Sequence, residues 1–252
     1  YPYVLERSHG EKGKTRYFEG GPGAYTLKPG TSVYRDYHTL QEEVSVEGGI
    51  PEMVCIECPK DELLVPRKVL EKLGTRNFEI LELPKNMLFR KKFLSWASFL
   101  SEMRWCLPCQ VGIVVQGREW GLLLDRLSEK NSVAYNCDYS KFDGLMSCQV
   151  LDAIGKMVNK CYANTNPNKK GRGEVPGSPP QLARHNLLMS IFGRKCLARS
   201  QVFEVRGGIP SGCALTVLLN SVFNEILIRY VYKTVVPSPE FNRFETFVTL
   251  AV

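Results

Sequence analysis

The sequence predicts an α+β fold, because segments with the period of a strand and segments with the period of a helix both occur in it. Residues 132–138 alternate larger apolar side chains with smaller or polar ones, as a half-buried strand does. Apolar residues recur at helical spacing from Pro84 to Met103. Residues 195–205 are typical of two strands joined by a turn at Arg199 and Ser200. The chain therefore has the elements of a mixed fold.

Bulk composition indicates a globular chain with free thiols. The apolar content of the 252 residues suffices for a buried core. No secretory leader is visible, and the most apolar window, 213–232, carries Asn, Glu and Arg, so we expect a soluble protein without a transmembrane segment. Nine cysteines favour reduced thiols in a cytosolic setting, and the net charge of +7 suits a polyanionic partner without proving one. Since the chain starts at Tyr1 and not at Met, we expect a fragment.

Two carboxylates, Asp138 and Asp143, lie where the predicted strand gives way to a helix. Helical spacing after residue 144 predicts that Asp143 and Gly144 open that helix; its apolar positions are Leu145, Met146, Leu151, Ile154, Met157, Val158 and Cys161. Two carboxylates at such a junction suit chemistry. The alternative is that Asp143 caps the helix and Asp138 is a turn residue. This stretch alone does not decide between them.

The first part of the chain gives weaker signals. Residues 20–49 show no sustained period. A basic segment follows, with Lys60, Arg67, Lys68, Lys72 and Arg76, which either lines a channel for phosphates or forms a solvated charged loop. A short helix is predicted over 118–127, with Trp120 in the core.

Two Cys-x-x-Cys pairs raise the question of a zinc site. Four thiolates from Cys55, Cys58, Cys106 and Cys109 would form a tetrahedral site. However, the chain between the two pairs is much longer than in usual zinc ribbons, and no histidine lies nearby. Buried free thiols are the preferred interpretation.

The last third combines loops with two helices. We expect an exposed loop at 163–180, a helix at 181–192, and a mobile glycine-containing loop at 207–213 that leads into a long amphipathic helix. One stripe of that helix is apolar and the other polar, the latter formed by Thr216, Asn220 and Asn224. Small polar residues directly after such a loop suggest ligand contact, although a solvent-facing stripe is the alternative. Residues 247–252 are typical of a strand.

Taken together, these features resemble a known family. Asp138-x4-Asp143, the Gly-Ile-Pro-Ser-Gly-Cys run at 208–213, Thr216 and Asn220 closely resemble motifs A and B of picornavirus-like RNA-dependent RNA polymerases. Lys60-Asp-Glu-Leu with Arg76 resembles the family's motif F, and Tyr-Pro-Tyr at 1–3 resembles the end of motif G. The order G, F, A, B is also the family's order. The sequences at 118–120 and 138–144 resemble those of the arthropod and marine picorna-like branch of the family.

This resemblance implies a right-handed polymerase with fingers and an incomplete palm, but no thumb. The fingers would be partial at 1–93, and the first part of the palm, with motif A, would span 94–192. Residues 193–208 would form a hairpin returned to the fingers, and 209–252 the second part of the palm, with motif B.

The sequence departs from the family in two places. The Gly-Asp-Asp turn is absent, and 247–252 resembles the strand that leads into it, so we expect a truncation there. Because two-metal catalysis needs carboxylates from motif A and from that turn, we expect the chain alone not to polymerise RNA. The loop at 163–180 is also longer than in better-known relatives.

The implied reaction is template-directed nucleotidyl transfer from an NTP to an RNA 3′-hydroxyl, with two magnesium ions, or manganese as the alternative. Asp138 would be the catalytic metal ligand. Asp143, Thr216 and Asn220 would bind the ribose, the alternative being that Asn220 only tethers Asp143. A site that hydrogen-bonds a substrate hydroxyl discriminates strongly against the analogue that lacks it.

Further contacts follow from the same resemblance. Lys60, Lys68 and Arg76 would neutralise the triphosphate, and Ser211 and Gly212 would belong to a loop that moves with template and nucleotide. The expected partners are RNA template and primer, NTPs and other viral replication proteins. The expected setting is viral genome replication from a polyprotein in the host cytoplasm, with membrane-associated replication complexes as the more specific site.

Two other classes of function compete with this one. The first is a reverse transcriptase-like palm enzyme, but such enzymes usually block the ribose 2′-hydroxyl with a bulky side chain, whereas Asp143 and Asn220 are suited to bind it. The second is a non-catalytic RNA-binding fragment, against which the intact Asp138 argues.

Overall fold

The computed structural model describes residues 13–61, 67, 76–130, 133–164, 173–236, 244 and 248–252. Its helices are α1 (Ser32–Glu43), α2 (Leu83–Glu102), α3 (Arg118–Ser128), α4 (Cys148–Asn164), α5 (Pro179–Met189) and α6 (Thr216–Val235). Its strands are β1 (Phe18–Glu19), β2 (Thr26–Leu27), β3 (Val54–Pro59), β4 (Asn77–Leu81), β5 (Arg194–Ala198) and β6 (Gln201–Val205). Helices and strands mix as predicted for the α+β class.

A four-stranded sheet joins the N-terminal part of the chain to the hairpin β5–β6. Its order is β4-β3-β5-β6, with β3 antiparallel to β4 and parallel to β5. The predicted hairpin is confirmed, and Arg199 makes its turn with a φ of 54°. The pairing of β5 with β3 is what a hairpin returned to the fingers requires. The domain boundaries themselves stay a prediction.

The long helix α2 supplies the centre of the core. Pro84 lies in its first turn, where a missing backbone N–H costs no helical hydrogen bond. The helix predicted from Pro84 is therefore confirmed. Its buried side chains pack with residues of the sheet and of α1, α4, α5 and α6. The fully buried residues of this shared core include Leu88, Phe89 and Phe93 of α2 and, from the other helices, Leu151, Ile154, Leu187, Leu188 and Leu219.

Helix α1 lies in the region where no period was recognised. The Thr31 side chain accepts a hydrogen bond from the Tyr34 N–H, a standard N-cap contact. Val33, Tyr37 and Leu40 are buried at helical spacing. The cap and this spacing were readable signals, which the surrounding glycines and prolines obscured.

Helix α3 confirms the short helix expected at 118–127 but not the place of its tryptophan. Trp120 is 53% exposed, so the prediction of a core residue is wrong. Glu119, Leu123 and Arg126 form the face that contacts the protein, through an ion pair with Arg104, apolar burial and hydrogen bonds to backbone carbonyls. Trp120 lies about 100° around the helix from Glu119 and outside that face.

The remaining expectations have mixed outcomes. Helix α5 confirms the helix expected at 181–192, although it begins at Pro179 and ends at Met189. Helix α4 takes the first two residues of the expected loop at 163–180 and α5 takes the last two; residues 165–172 lie outside the described residues. Residues 248–252 form no strand, contrary to prediction, although Val252 exchanges backbone hydrogen bonds with Pro108 and Gln110. A segment paired at a single residue does not make a ladder. No helix in the described ranges is long and apolar enough to cross a bilayer.

Candidate active site

The predicted site centres on residues 138–144, which we call the acidic turn. Residues 133–139 are not a strand, contrary to prediction, and Tyr135 is 92% exposed. Alternation only sets which side chains share a face; a strand also needs a neighbour, and no described strand pairs with this segment. Asp138 is consequently carried on an exposed segment without regular secondary structure.

The acidic turn bends sharply and then forms a 3-10 turn at Phe142–Gly144. Lys141 adopts a left-handed conformation, with a φ of 55°. Helix α4 begins only at Cys148, so Asp143 and Gly144 do not open it as predicted. Phe142 stacks on Phe223 of α6 with ring centroids 5.1 Å apart. This aromatic contact holds the turn against α6.

The two residues predicted to select the sugar meet in the structure. The Asn220 Nδ2 group donates a hydrogen bond of 2.7 Å to Asp143 Oδ1. Asp143 is exposed, and Asn220 Oδ1 has no hydrogen-bond partner among the described residues. Asp143 therefore presents a carboxylate oxygen at the surface, whereas the Asn220 Oδ1 atom is buried, and the hydrogen bond between the two side chains fixes the geometry of the pair.

Thr216, the third predicted ribose contact, is buried at the start of α6. Its hydroxyl lies 2.7 Å from the Pro210 carbonyl and 2.9 Å from the Cys213 carbonyl. One proton serves one of these acceptors, so the hydroxyl is engaged within its own loop. The structure thus brings Asp143 and Asn220 together, whereas Thr216 supports the loop that precedes them.

Residues 207–213, the glycine loop, are held on one side by β4 and α2. Ser211 Oγ accepts a 2.9 Å hydrogen bond from the Glu79 N–H, and a Cβ on Gly212 would overlap the Glu79 carbonyl oxygen. Asn86 Nδ2 donates to the Gly212 carbonyl, also at 2.9 Å. A loop expected to be mobile is thus held by hydrogen bonds to two elements.

On its other side the glycine loop contacts the acidic turn. The Gly208 N–H donates to the Met146 carbonyl at 2.9 Å, and the Ile209 N–H donates to the Asp143 carbonyl at 2.8 Å. Gly208 has a φ of 65°, and a Cβ there would overlap the Asp143 carbonyl oxygen. Glycine is required at this position for both reasons.

A buried ion pair beneath the glycine loop was missed by sequence reasoning. Arg194 Nε lies 2.6 Å from Glu79 Oε2, and its Nη2 lies 2.8 Å from Glu79 Oε1. Burial opposes the charge of Arg194, yet the hydrogen bond and charge of Glu79 outweigh it, so the pKa of this arginine is raised. The sequence did hold one signal for it: Arg194 lies two residues before the fully buried Cys196 on the same strand, so the two side chains share the buried face of that strand.

Of the basic residues in the segment, the structure describes Lys60, Arg67 and Arg76. The Lys60 N–H donates to the Arg76 carbonyl at 2.7 Å, beyond the paired part of β3 and β4. Both residues are exposed. Lys68 and Lys72 lie outside the described residues. The structure therefore places the two predicted phosphate contacts that it describes side by side.

The cysteines are free thiols, some of them deeply buried. Burial raises the pKa of Cys213 to about 12 and that of Cys196 to about 11. Within the described ranges, no group of three or more His, Cys, Asp or Glu residues has the arrangement of a metal site. Of the four cysteines in the two Cys-x-x-Cys pairs, Cys55 and Cys109 are buried as expected, but Cys58 is half-buried and Cys106 is exposed, so the expectation of buried thiols is wrong for Cys106.

Comparison with known sequences gives a clear family match. The family model described as viral RNA-dependent RNA polymerase matches residues 1–247. The chain is 91% identical to the RNA1 polyprotein of Tobacco ringspot virus and 49% identical to that of Blackcurrant reversion association virus. Both matches cover 100% of this chain, but only 11% and 12% of the respective polyproteins. The match to Tobacco ringspot virus contradicts the expected arthropod or marine branch.

Comparison with solved structures confirms the fold. The Sicinivirus 3Dpol RNA dependent RNA polymerase superposes with a TM-score of 0.56 at 20% identity. The match covers 90% of this chain and 43% of that chain. The predicted α+β fold, with the architecture of a polymerase domain, is therefore confirmed.

Proposed function

Because the chain belongs to the viral RNA-dependent RNA polymerase family, we propose that it supplies the nucleotide site of an enzyme that copies an RNA template by nucleotidyl transfer from NTPs. The observation that carries this proposal is the hydrogen bond between Asn220 and Asp143. It joins Asp143, on the exposed turn that also carries the predicted metal ligand Asp138, to Asn220 of α6, which is far away in the sequence. The proposal concerns the polymerase that contains this chain.

The Asp143 and Asn220 pair is proposed to recognise the ribose. Asp143 Oδ1 already accepts from Asn220, which leaves the other carboxylate oxygen for the sugar hydroxyl. A deoxyribose would leave that acceptor without its donor, and the site would lose the hydrogen bond. Thr216 is proposed to act indirectly, because its hydroxyl holds the loop that begins α6.

Asp138 is proposed to hold magnesium, with manganese as the alternative ion. The residue fits such an ion, since its carboxylate is exposed and makes no ion pair or hydrogen bond with any described residue. A hard cation prefers carboxylate and phosphate oxygens and usually keeps only one or two protein ligands. When bound, magnesium would neutralise charge on the phosphate oxygens. The contribution of this chain is a carboxylate next to the ribose-binding turn.

The triphosphate is proposed to contact Lys60, Lys68 and Arg76. Lys60 and Arg76 are exposed at the open end of β3 and β4, and their backbones are joined by a hydrogen bond. Arginine can contact two phosphate oxygens at once, whereas lysine acts as a point charge. Ser211 and Gly212 are proposed to lie beside template and nucleotide. They belong to the glycine loop, which contacts β4 on one side and the acidic turn on the other.

The wider setting is also proposed from the family. The fingers would comprise 1–93 and the hairpin at 193–208, and the palm would comprise 94–192 and 209–252. RNA template and primer, NTPs and other viral replication proteins are the partners. The two-magnesium reaction would serve viral genome replication in the host cytoplasm, at membrane-associated complexes.

The test is to replace the ribose pair in the complete polymerase. Asp143→Ala and Asn220→Ala should lower the preference for ribonucleotides over deoxyribonucleotides, because each removes part of a hydrogen-bonded site. Losing about 1–3 kcal/mol of discrimination corresponds to roughly 5- to 150-fold in the incorporation ratio. The measurement is the kcat/KM for each sugar type.

Asn159→Ala is the matched control. This asparagine hydrogen-bonds the Gln181 carbonyl and Arg184, between α4 and α5, and should leave the ratio unchanged. If the ratio is unchanged in both site variants while their folding is preserved, ribose recognition by this pair is refuted.

A further inference from the structure

We propose that Arg194 is a positioning residue for nucleotide selection, which sets the place of Asp143 through the glycine loop. This inference rests on the proposed role of Asp143 in binding the ribose. The hydrogen bonds and the ion pair of the Arg194 side chain go to Glu79, Ile191, Gly207 and Gly208, and not to Asp143 or Asn220. Its effect is therefore expected to pass through the backbone of the residues between them.

Arg194 is fixed from several sides. Its side chain is 3% exposed and forms a two-pronged contact with the Glu79 carboxylate. The remaining nitrogen, Nη1, lies 2.9 Å from the Gly207 carbonyl, 3.3 Å from the Gly208 carbonyl and 3.2 Å from the Ile191 carbonyl. The guanidinium thus joins strand β4 to the first two residues of the glycine loop.

The charge of Arg194 makes these contacts hard to replace. A buried guanidinium must keep its partners, since an unpaired buried charge is strongly destabilising. Two donors are occupied by Glu79, and the glycine carbonyls supply acceptors for another. If the first glycines of the loop moved away from β4, Nη1 would keep the Ile191 carbonyl as its only acceptor among the described residues, and one of its two N–H groups would lose its partner.

From the glycine loop the connection to Asp143 is backbone to backbone. The Gly208 N–H donates to the Met146 carbonyl, and the Ile209 N–H donates to the carbonyl of Asp143 itself. Gly208 packs so closely on Asp143 that a side chain would overlap it. A shift of Gly208 must consequently move the peptide that carries the ribose-binding carboxylate.

Lysine cannot reproduce this arrangement. It has a single nitrogen, which can pair with Glu79 or reach the glycine carbonyls, but does not present the planar fork that does both. Arg194→Lys therefore keeps the buried charge and removes the link between β4 and the loop. This makes it a more selective change than alanine.

The experiment uses Arg194→Lys in the complete polymerase. We expect the ratio of ribonucleotide to deoxyribonucleotide kcat/KM to fall by roughly three- to thirtyfold, the range in which distant positioning residues modulate a site. The KM for ribonucleotides should rise more than kcat falls. A purely structural defect would reduce the fraction of active enzyme, which active-site titration measures, and would not alter this ratio.

Arg184→Lys is the matched control. Arg184 is an equally buried arginine that pairs with Glu174 and hydrogen-bonds Asn159, between α4 and α5. It shares the chemistry of Arg194 but has its partners elsewhere. We expect Arg184→Lys to change stability and to leave the sugar ratio unaltered.

Two further variants keep the inference testable if Arg194→Lys folds poorly. Glu79→Gln preserves the size of the partner and should shift the ratio in the same direction by a smaller factor. Combining Glu79→Gln with Asp143→Ala should lower the ratio no further than Asp143→Ala alone, since both act on one contact.

The outcomes separate the two proposals. If Asp143→Ala leaves the ratio unchanged, the ribose role fails, and this inference fails with it. If Asp143→Ala lowers the ratio but Arg194→Lys and Glu79→Gln do not, only the positioning role is overturned. A similar fall in the Arg184→Lys control, or fully additive effects in the double variant, also overturns it.

Discussion

At the scale of single residues, one asparagine closes the far end of the glycine loop. Asn86 Nδ2 donates to the Gly212 carbonyl, and Asn86 Oδ1 accepts from the Ala214 N–H, both at 2.9 Å. We predict that Asn86→Ala lowers the free energy of unfolding by about 1–3 kcal/mol, because it leaves two partly buried backbone groups without a partner. Urea denaturation of the polymerase measures this change.

Asn86→Asp separates the two halves of that contact. It keeps the acceptor for the Ala214 N–H and removes the donor to the Gly212 carbonyl, so its effect on stability should be of the same sign. If both variants were as stable as the parent, water would be replacing the amide, and the loop would not depend on it.

Among single residues, some contacts of the site could be predicted from the sequence and others could not. Asp143 and Asn220 were predicted as a pair because the sequences around them resemble known motifs, and the structure shows a hydrogen bond between them. Arg194 and Glu79 were not, since an ion pair between separate strands has no local pattern. The only sequence signal for this ion pair was that Arg194 lies two residues from a buried cysteine on the same strand.

At the scale of elements, the close contact between the glycine loop and the acidic turn depends on a missing side chain. We predict that Gly208→Ala destabilises the protein by more than about 1 kcal/mol, because its φ of 65° disfavours alanine and a Cβ would overlap Asp143. The measurement is the free energy of unfolding or the shift in Tm.

A second glycine gives the opposite expectation. Gly121 lies within α3, and a Cβ there would meet no atom within 4 Å. Gly121→Ala should therefore stabilise the protein by about 0.5–1 kcal/mol through helix propensity. Equal effects at both glycines would show that the loop geometry at Gly208 is not tight.

Predictability at the element scale follows from what each pattern encodes. Helix α2 and helix α5 were predicted, because a helix makes its backbone hydrogen bonds within the segment that carries the pattern. The strand expected at 132–138 was not found, because alternation says nothing about a partner strand. Helix α1 was missed although its cap and its buried positions were present in the sequence.

At the scale of the whole molecule, the net charge of +7 makes salt dependence the natural probe of RNA binding. We predict that replacing Lys60 and Arg76 with alanine in the polymerase makes the plot of log affinity against log salt concentration less steep. The magnitude of its negative slope should decrease by about 0.7 for each phosphate of single-stranded RNA that these side chains neutralise. Binding measured from low to moderate salt gives this slope.

Lys156→Ala is the corresponding control. This lysine is exposed on α4, where it pairs with Asp152, and should not change the slope. If the double variant and this control had the same slope as the parent, Lys60 and Arg76 would not lie in a phosphate channel.

The parallel pairing of β3 with β5 has a consequence for synthesis of the protein on the ribosome. Val54 pairs opposite Lys195, so β3 emerges about 140 residues before the strand that covers its open edge, a delay on the order of ten seconds at typical elongation rates. During that time the β3 edge presents unpaired amides and carbonyls to other nascent chains. Chaperone engagement should therefore be strongest on ribosome-bound intermediates that have translated β3 and β4 but not yet β5.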